Sequence, residues 1–168
     1  MRIFCKLVLL FLIATVLHWM LTSIFGSWGQ TLNFMLVFSV AVCVCVKPEY
    51  GYPTAFLCGL FLDFFGVKLF GHYALIFTLC AASIYSMENR LDFDSVVPQM
   101  VCICVLETIA ALGNLILLKS LAGFSAWNGF FPFCGGIAIS TLLAPVVFWL
   151  IRRVFAGKTP TYSSDAFH

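Results

Sequence analysis

Charge is what this sequence has least of. Only 10% of its 168 residues are Asp, Glu, Lys or Arg, against 62% hydrophobic, and the mean hydropathy is +1.07. A chain so poor in polar side chains cannot clothe a globule in water, which excludes a soluble domain and leaves an integral membrane protein. The formal net charge is only +2, and the basic residues sit in short clusters beside apolar runs instead of on one face. That excludes a nucleic-acid partner and makes charge a matter of orientation. Catalytic signatures are also lacking: no nucleophile lies beside a base, no glycine-rich loop cradles phosphate, and no metal set is credible. The sequence therefore reads as a non-enzyme without a cofactor. Cysteine is not scarce, but Cys5, Cys43, Cys45, Cys58, Cys80, Cys102, Cys104 and Cys134 all fall inside apolar runs, where Cys behaves as a small hydrophobe. The two Cys-x-Cys pairs would point roughly 200° apart on a helix, so neither can hold one ion.

What the sequence does have is a succession of apolar runs, six in all. The first, about residues 3–25, follows Arg2 and carries Lys6 in its opening turn, and no small-x-small site comes after it, so an uncleaved first span is expected. His18 and Trp19 lie toward its far end, where His reads as an interfacial or hydrogen-bonded residue and Trp as an anchor. The second run covers 32–46 and is closed by residues 47–53, whose two prolines and glycine are expected to break a helix. Residues 54–66 form a short third segment of about 20 Å, less than the ~30 Å hydrocarbon core. That segment is tucked among other helices, extended past Lys68, or half of a re-entrant hairpin. The remaining runs are 72–87, 99–118 and 133–151, with a polar tail from 152 to 168. Under six spans Arg2, Lys6, Lys47, Arg90, Arg152, Arg153 and Lys158 share one side and Lys68 and Lys119 the other, which places both termini in the cytoplasm. Tyr85 and Trp149 then mark cytoplasmic ends, and Trp28, Tyr73 and Trp127 outer ones.

Three polar constellations lie inside these runs. Gly59 and Asp63, four residues apart, share a helix face, with Gly66 on a neighbouring row: a groove of small residues bearing one acid. An ionised side chain at mid-depth costs at least ~2.5–3.5 kcal/mol, so Asp63 needs a reason to be there. Glu107 and Asn114 are seven apart and nearly eclipsed, near Ala110, Ala111 and Gly113. Pro145 is expected to break the last span near its middle, with Ser140 and Thr141 serving the freed backbone groups. Paired intramembrane acids recur in transporters, so Asp63 and Glu107 admit a substrate-binding or ion-coupled transport subunit in which both line one cavity. They equally admit packing roles, with the acids protonated or hydrogen-bonded to neighbouring polar groups.

The order Ala55-Phe56-x-x-Gly59-Leu60-x-x-Asp63, then Phe70-Gly71-x-x-Ala74-Leu75, resembles the signature of the MreD family of rod shape-determining membrane proteins. The likeness extends to the length, the acid at Glu107, and a last helix of the form Leu143-Ala144-Pro145-Val146 ending in Arg152-Arg153. The resemblance implies an all-α bundle of about six transmembrane helices in the bacterial cell membrane, with a layout similar to the substrate-binding components of energy-coupling-factor transporters. It also implies a scaffold of cell-wall elongation that binds an MreC-like bitopic protein. Through that partner it meets an MreB-like filament, a RodA-type glycosyltransferase and a class B penicillin-binding transpeptidase. The helix-packing and interaction residues it singles out are Gly59, Asp63, Gly66 and Gly71, with Glu107, Asn114 and Pro145 as further candidates.

Overall fold

A computed structural model of the chain describes residues 2–26, 32–65, 70–87, 93, 95–123 and 129–155. They form six helices: α1 (Arg2–Phe25), α2 (Phe34–Cys45), α3 (Pro48–Phe65), α4 (His72–Met87), α5 (Val96–Ala122) and α6 (Phe130–Phe155). No strand occurs among the described residues. The all-α class follows from long apolar runs whose backbone groups, in a bilayer, must be satisfied within the segment. Within α1, α5 and α6, the stretches Ile3–Phe25, Val96–Leu117 and Phe130–Phe155 are long and apolar enough to cross a membrane, whereas α2 and α4 are shorter apolar helices.

The prolines behave differently from the expectation. The second run is closed as expected, with α2 ending at Cys45, but the break is confined to residues 46–47: α3 begins at Pro48 and runs through Gly51 and Pro53. At the first helical position the missing N–H of Pro48 is no loss, because that donor has no intrahelical partner in any case. The amides of Tyr50 and Gly51 then close on Lys47 O at 3.0 Å each. Pro53 has no N–H to donate to the carbonyl of Glu49, an exposed residue in the first turn, where solvent can serve the oxygen. The third segment thus gains six residues over its expected start, and its 18 residues reach about 27 Å. For the same reason α5 and α6 each start three residues before the expected 99 and 133, with Pro98 and Pro132 in their first turns. Pro145 does not break α6 either, which continues to Phe155 and carries Arg152 and Arg153 in its last turn.

The axis of the bundle is its shortest helix. Every residue of α2 from Phe34 to Cys43 is buried, and α2 packs against all five other helices. Around it α3 and α4 form an antiparallel pair, as their contacts at Gly59 with Ala74 and at Gly51 with Tyr85 require. The amphipathic logic of α1 is inverted relative to a soluble helix: Leu7, Leu10 and Ala14 face inward, while Leu9, Leu12, Val16 and Met20 are exposed. Lipid makes such an outward apolar face free of cost. One end of the bundle is tied together by donors to carbonyls. Lys6 Nζ donates to Val154 O at 2.8 Å, Gln99 Nε2 donates to Phe93 O at 2.6 Å, and the Arg152 guanidinium reaches the same Phe93 carbonyl. These contacts bring the start of α1 beside the end of α6.

Candidate functional site

The first turn of any helix leaves amide donors without intrahelical partners. In α4 the turn is entered through Gly71, whose φ of +93° lies in the left-handed region that side-chain-bearing residues rarely adopt. Gly71 has no side chain with which to cap the helix it begins. Asp63, from the last turn of α3, does so instead: Oδ1 accepts from the Tyr73 N–H at 3.1 Å and Oδ2 from the Ala74 N–H at 3.0 Å. His72 Nδ1 stands 2.9 Å from Oδ1. The negative charge also meets the positive end of the α4 dipole. With Asp63 only 2% exposed, these donors replace the water it has lost.

Gly59 makes that reach possible. One turn before Asp63 on the same face, a Cβ built at this position would lie 2.5 Å from Ala74 Cα and 2.5 Å from Tyr73 O. Only glycine lets the first turn of α4 approach the α3 backbone so closely. Gly59, Asp63 and Gly71 are therefore brought together in one local device, while Gly66 lies outside the described residues. Residues to which the sequence reading gave no part in the site complete it. His72 and the Tyr73 and Ala74 amides are the partners of the acid. At the far end of the same helix pair, Tyr85 lies where a Cβ on Gly51 would be 1.7 Å from its Oη, and Tyr85 donates to Val46 O at 3.2 Å. Gly51, Ala55, Gly59 and Asp63 recur every four residues and all are buried, a stripe that was readable once 47–53 is helix.

The α5 residues are joined to this unit through one side chain. Asn114 Nδ2 donates to Tyr73 Oη at 3.0 Å, so Tyr73, expected as an outer interfacial anchor, is half-buried and turned into the bundle. Two turns earlier Glu107 is 2% exposed, and its Oε1 has no hydrogen-bond partner among the described residues. Ser140 of α6 lies beside it. Ser140 and Thr141 do not serve the backbone near Pro145 as expected, since both hydroxyls are buried without a hydrogen-bond partner among the described residues. The candidate residues thus divide into two sets: the Asp63 unit, in which both carboxylate oxygens accept hydrogen bonds, and Glu107 with Ser140.

Elsewhere the chemistry is thin. All eight cysteines are free thiols. His18 lies half-buried on α1, and Trp19 beside it packs edge-on against Phe65 with ring centroids 5.3 Å apart. The groove there, between α1 and α3, has a volume of about 410 Å³ and a mainly apolar wall of Val16, Trp19, Met20, Phe61 and Phe65, with Thr15 and Ser23.

No curated protein and no solved structure matches the chain. The family model described as rod shape-determining protein MreD matches residues 2–154, a stretch that takes in α1 to α5, all but the last residue of α6 and both polar sets, and the chain belongs to the MreD family.

Proposed function

We propose that this protein is a non-catalytic scaffold of the cell-wall elongation machinery, held in the bacterial inner membrane as a multi-pass bundle with both termini cytoplasmic. Membership of the MreD family implies a role in rod-shape determination, and three helices long and apolar enough to span make it a membrane protein. Its direct partner is an MreC-like bitopic protein whose single span docks on a face of the bundle. An MreB-like filament, a RodA-type glycosyltransferase and a class B penicillin-binding transpeptidase are reached indirectly.

The observation that carries this reading is the use made of Asp63. Both carboxylate oxygens are spent on the first turn of α4, so the acid at the centre of the family-like motif fixes helix geometry instead of awaiting a substrate. Lys6 joined to Val154 O supports placing both termini on one side, together with the excess of Lys and Arg there. Mechanistically, a rigid α3–α4 pair presents a fixed outer surface, and helix association in a bilayer depends on such close complementary packing.

The test is affinity purification of the tagged protein from its native membrane in detergent, with mass spectrometry of what comes with it. A bitopic coiled-coil partner is expected, with recovery reduced several-fold by Asp63→Ala and retained by Gly113→Ala at equal membrane abundance. Recovery of ATPase subunits or of a bound vitamin-like molecule in its place would overturn the scaffold reading in favour of a transport subunit.

A further inference from the structure

Two carboxyl groups lie inside the described bundle, and their surroundings are opposite. Asp63 faces donors only: two amides and the His72 ring nitrogen. Glu107, equally buried, has Oε1 without any partner, and no Lys, Arg or His is paired with it among the described residues. Tyr73 and Cys80 on α4 are among the ionisable groups close enough to sense its charge, and neither is a cation. From α6 the neighbouring polar group is the Ser140 hydroxyl.

That hydroxyl, like Thr141 next to it, departs from the pattern of the other helical hydroxyls, and it is the one set beside Glu107. The side chains of Thr15, Thr22, Thr54, Thr78 and Thr108 all turn back and donate to the carbonyl four residues earlier, at 2.7–2.9 Å. Ser140 makes no such bond although it is 0% exposed. A hydroxyl withheld from its own helix and set beside a carboxyl is placed to hydrogen-bond across the interface. An ionised carboxylate offers acceptors only, and one hydroxyl could serve just one of them. A carboxylic acid supplies a donor as well, so acid and hydroxyl can satisfy each other, and no buried charge is left unpaired in the low-dielectric interior.

We propose that Glu107 and Ser140 form a proton-binding site inside the bundle, in which the Glu107 carboxyl is held as the acid and its O–H donates to Ser140 Oγ across the α5–α6 interface. The ligand of this site is a proton, and the site is separate from the Asp63 unit, whose two oxygens accept from the Tyr73 and Ala74 amides. The inference does not depend on the scaffold reading, since it concerns only how α5 and α6 are joined.

The test is infrared spectroscopy of the full-length protein in membranes with its glutamates carrying a ¹³C carboxyl. The sequence contains only three glutamates, Glu49, Glu88 and Glu107, so the isotope isolates few bands. At neutral pH a ¹³C-shifted carboxylic-acid carbonyl band is expected, absent in Glu107→Gln, and moved to the frequency of a free acid in Ser140→Ala. Purely carboxylate bands in the wild type would overturn the proposal without any variant having to fold. An acid band unmoved by Ser140→Ala would overturn the pairing. A hydrophobic carbodiimide, which couples to neutral carboxyls, provides the chemical counterpart: an adduct mapped to Asp63 in preference to Glu107 would reverse the assignment.

Discussion

Asp63 meets three donors, and removing it does more than delete one side chain. Asp63→Ala leaves the Tyr73 and Ala74 amides without acceptors at the first turn of a buried helix, and each such orphan costs about 1–3 kcal/mol. A loss on the order of 3 kcal/mol is expected, read as a fall of several degrees in the detergent thermal midpoint followed by circular dichroism. Asp63→Asn should lie between wild type and alanine, because its amide nitrogen cannot accept from either N–H. Equal midpoints for wild type and Asp63→Ala would sink the capping role. Sequence reading reached half of this residue-scale picture. An acid in an apolar run announces that it must be paired, but backbone amides ten and eleven residues later carry no side-chain signature. The positions of Tyr73 and Ala74 were therefore known while their part in the site was not.

At the scale of the helix, glycine positions separate close packing from chance. Gly59→Ala puts a methyl 2.5 Å from the α4 backbone, which cannot yield as a flexible side chain could, so α3 and α4 must part. Overpacking of this kind costs typically ~1–3 kcal/mol. Gly113→Ala meets only Ile76 Cδ1 at 3.8 Å, an ordinary contact, and gains the helix propensity of alanine, worth about 1 kcal/mol over glycine. Thermal midpoints of the two variants should move in opposite directions; the same fall in both would remove the close crossing as the explanation. The beginnings of α3, α5 and α6 teach a related point. Proline breaks a helix only where an N–H is required, and in the first turn it is not. Counting prolines without asking where in the turn they fall delayed α3 by six residues and hid Gly51 and its contact with Tyr85.

For the whole molecule, lipid on the outside and α2 on the axis govern what a substitution does. Ala41 on α2 is 0% exposed, and Ala41→Leu should destabilise by about 1–3 kcal/mol through overpacking. Leu12 on α1 is 56% exposed on the outward apolar face, and Leu12→Ala should change stability by no more than about 0.5 kcal/mol, leaving the midpoint nearly unmoved. The two measured side by side test whether α2 is the core: an unchanged midpoint for Ala41→Leu would move the axis elsewhere. Orientation has its own test. Reporter fusions that are active only in the cytoplasm are expected to be active at both ends of the chain and near residue 90, and inactive near residues 68 and 125. Activity at one terminus alone would require an odd number of crossings.

Composition by itself determined that this chain lives in a bilayer and is helical, because 10% charged residues cannot solvate a surface and lipid admits few backbone solutions. The spacing of Gly59 and Asp63, and the order in which Gly71 to Leu75 follow, sufficed for the resemblance to the MreD family. Tertiary structure decided which apolar helix is central. Lipid and protein interior are equally apolar, so α2, buried all round, and α1, exposed along one face, look alike as sequence. It also decided the different fates of the two acids. Hydropathy marks Asp63 and Glu107 as the same anomaly, whereas the approach of α4 at Gly59 supplies donors to one and the packing of α6 sets a hydroxyl beside the other.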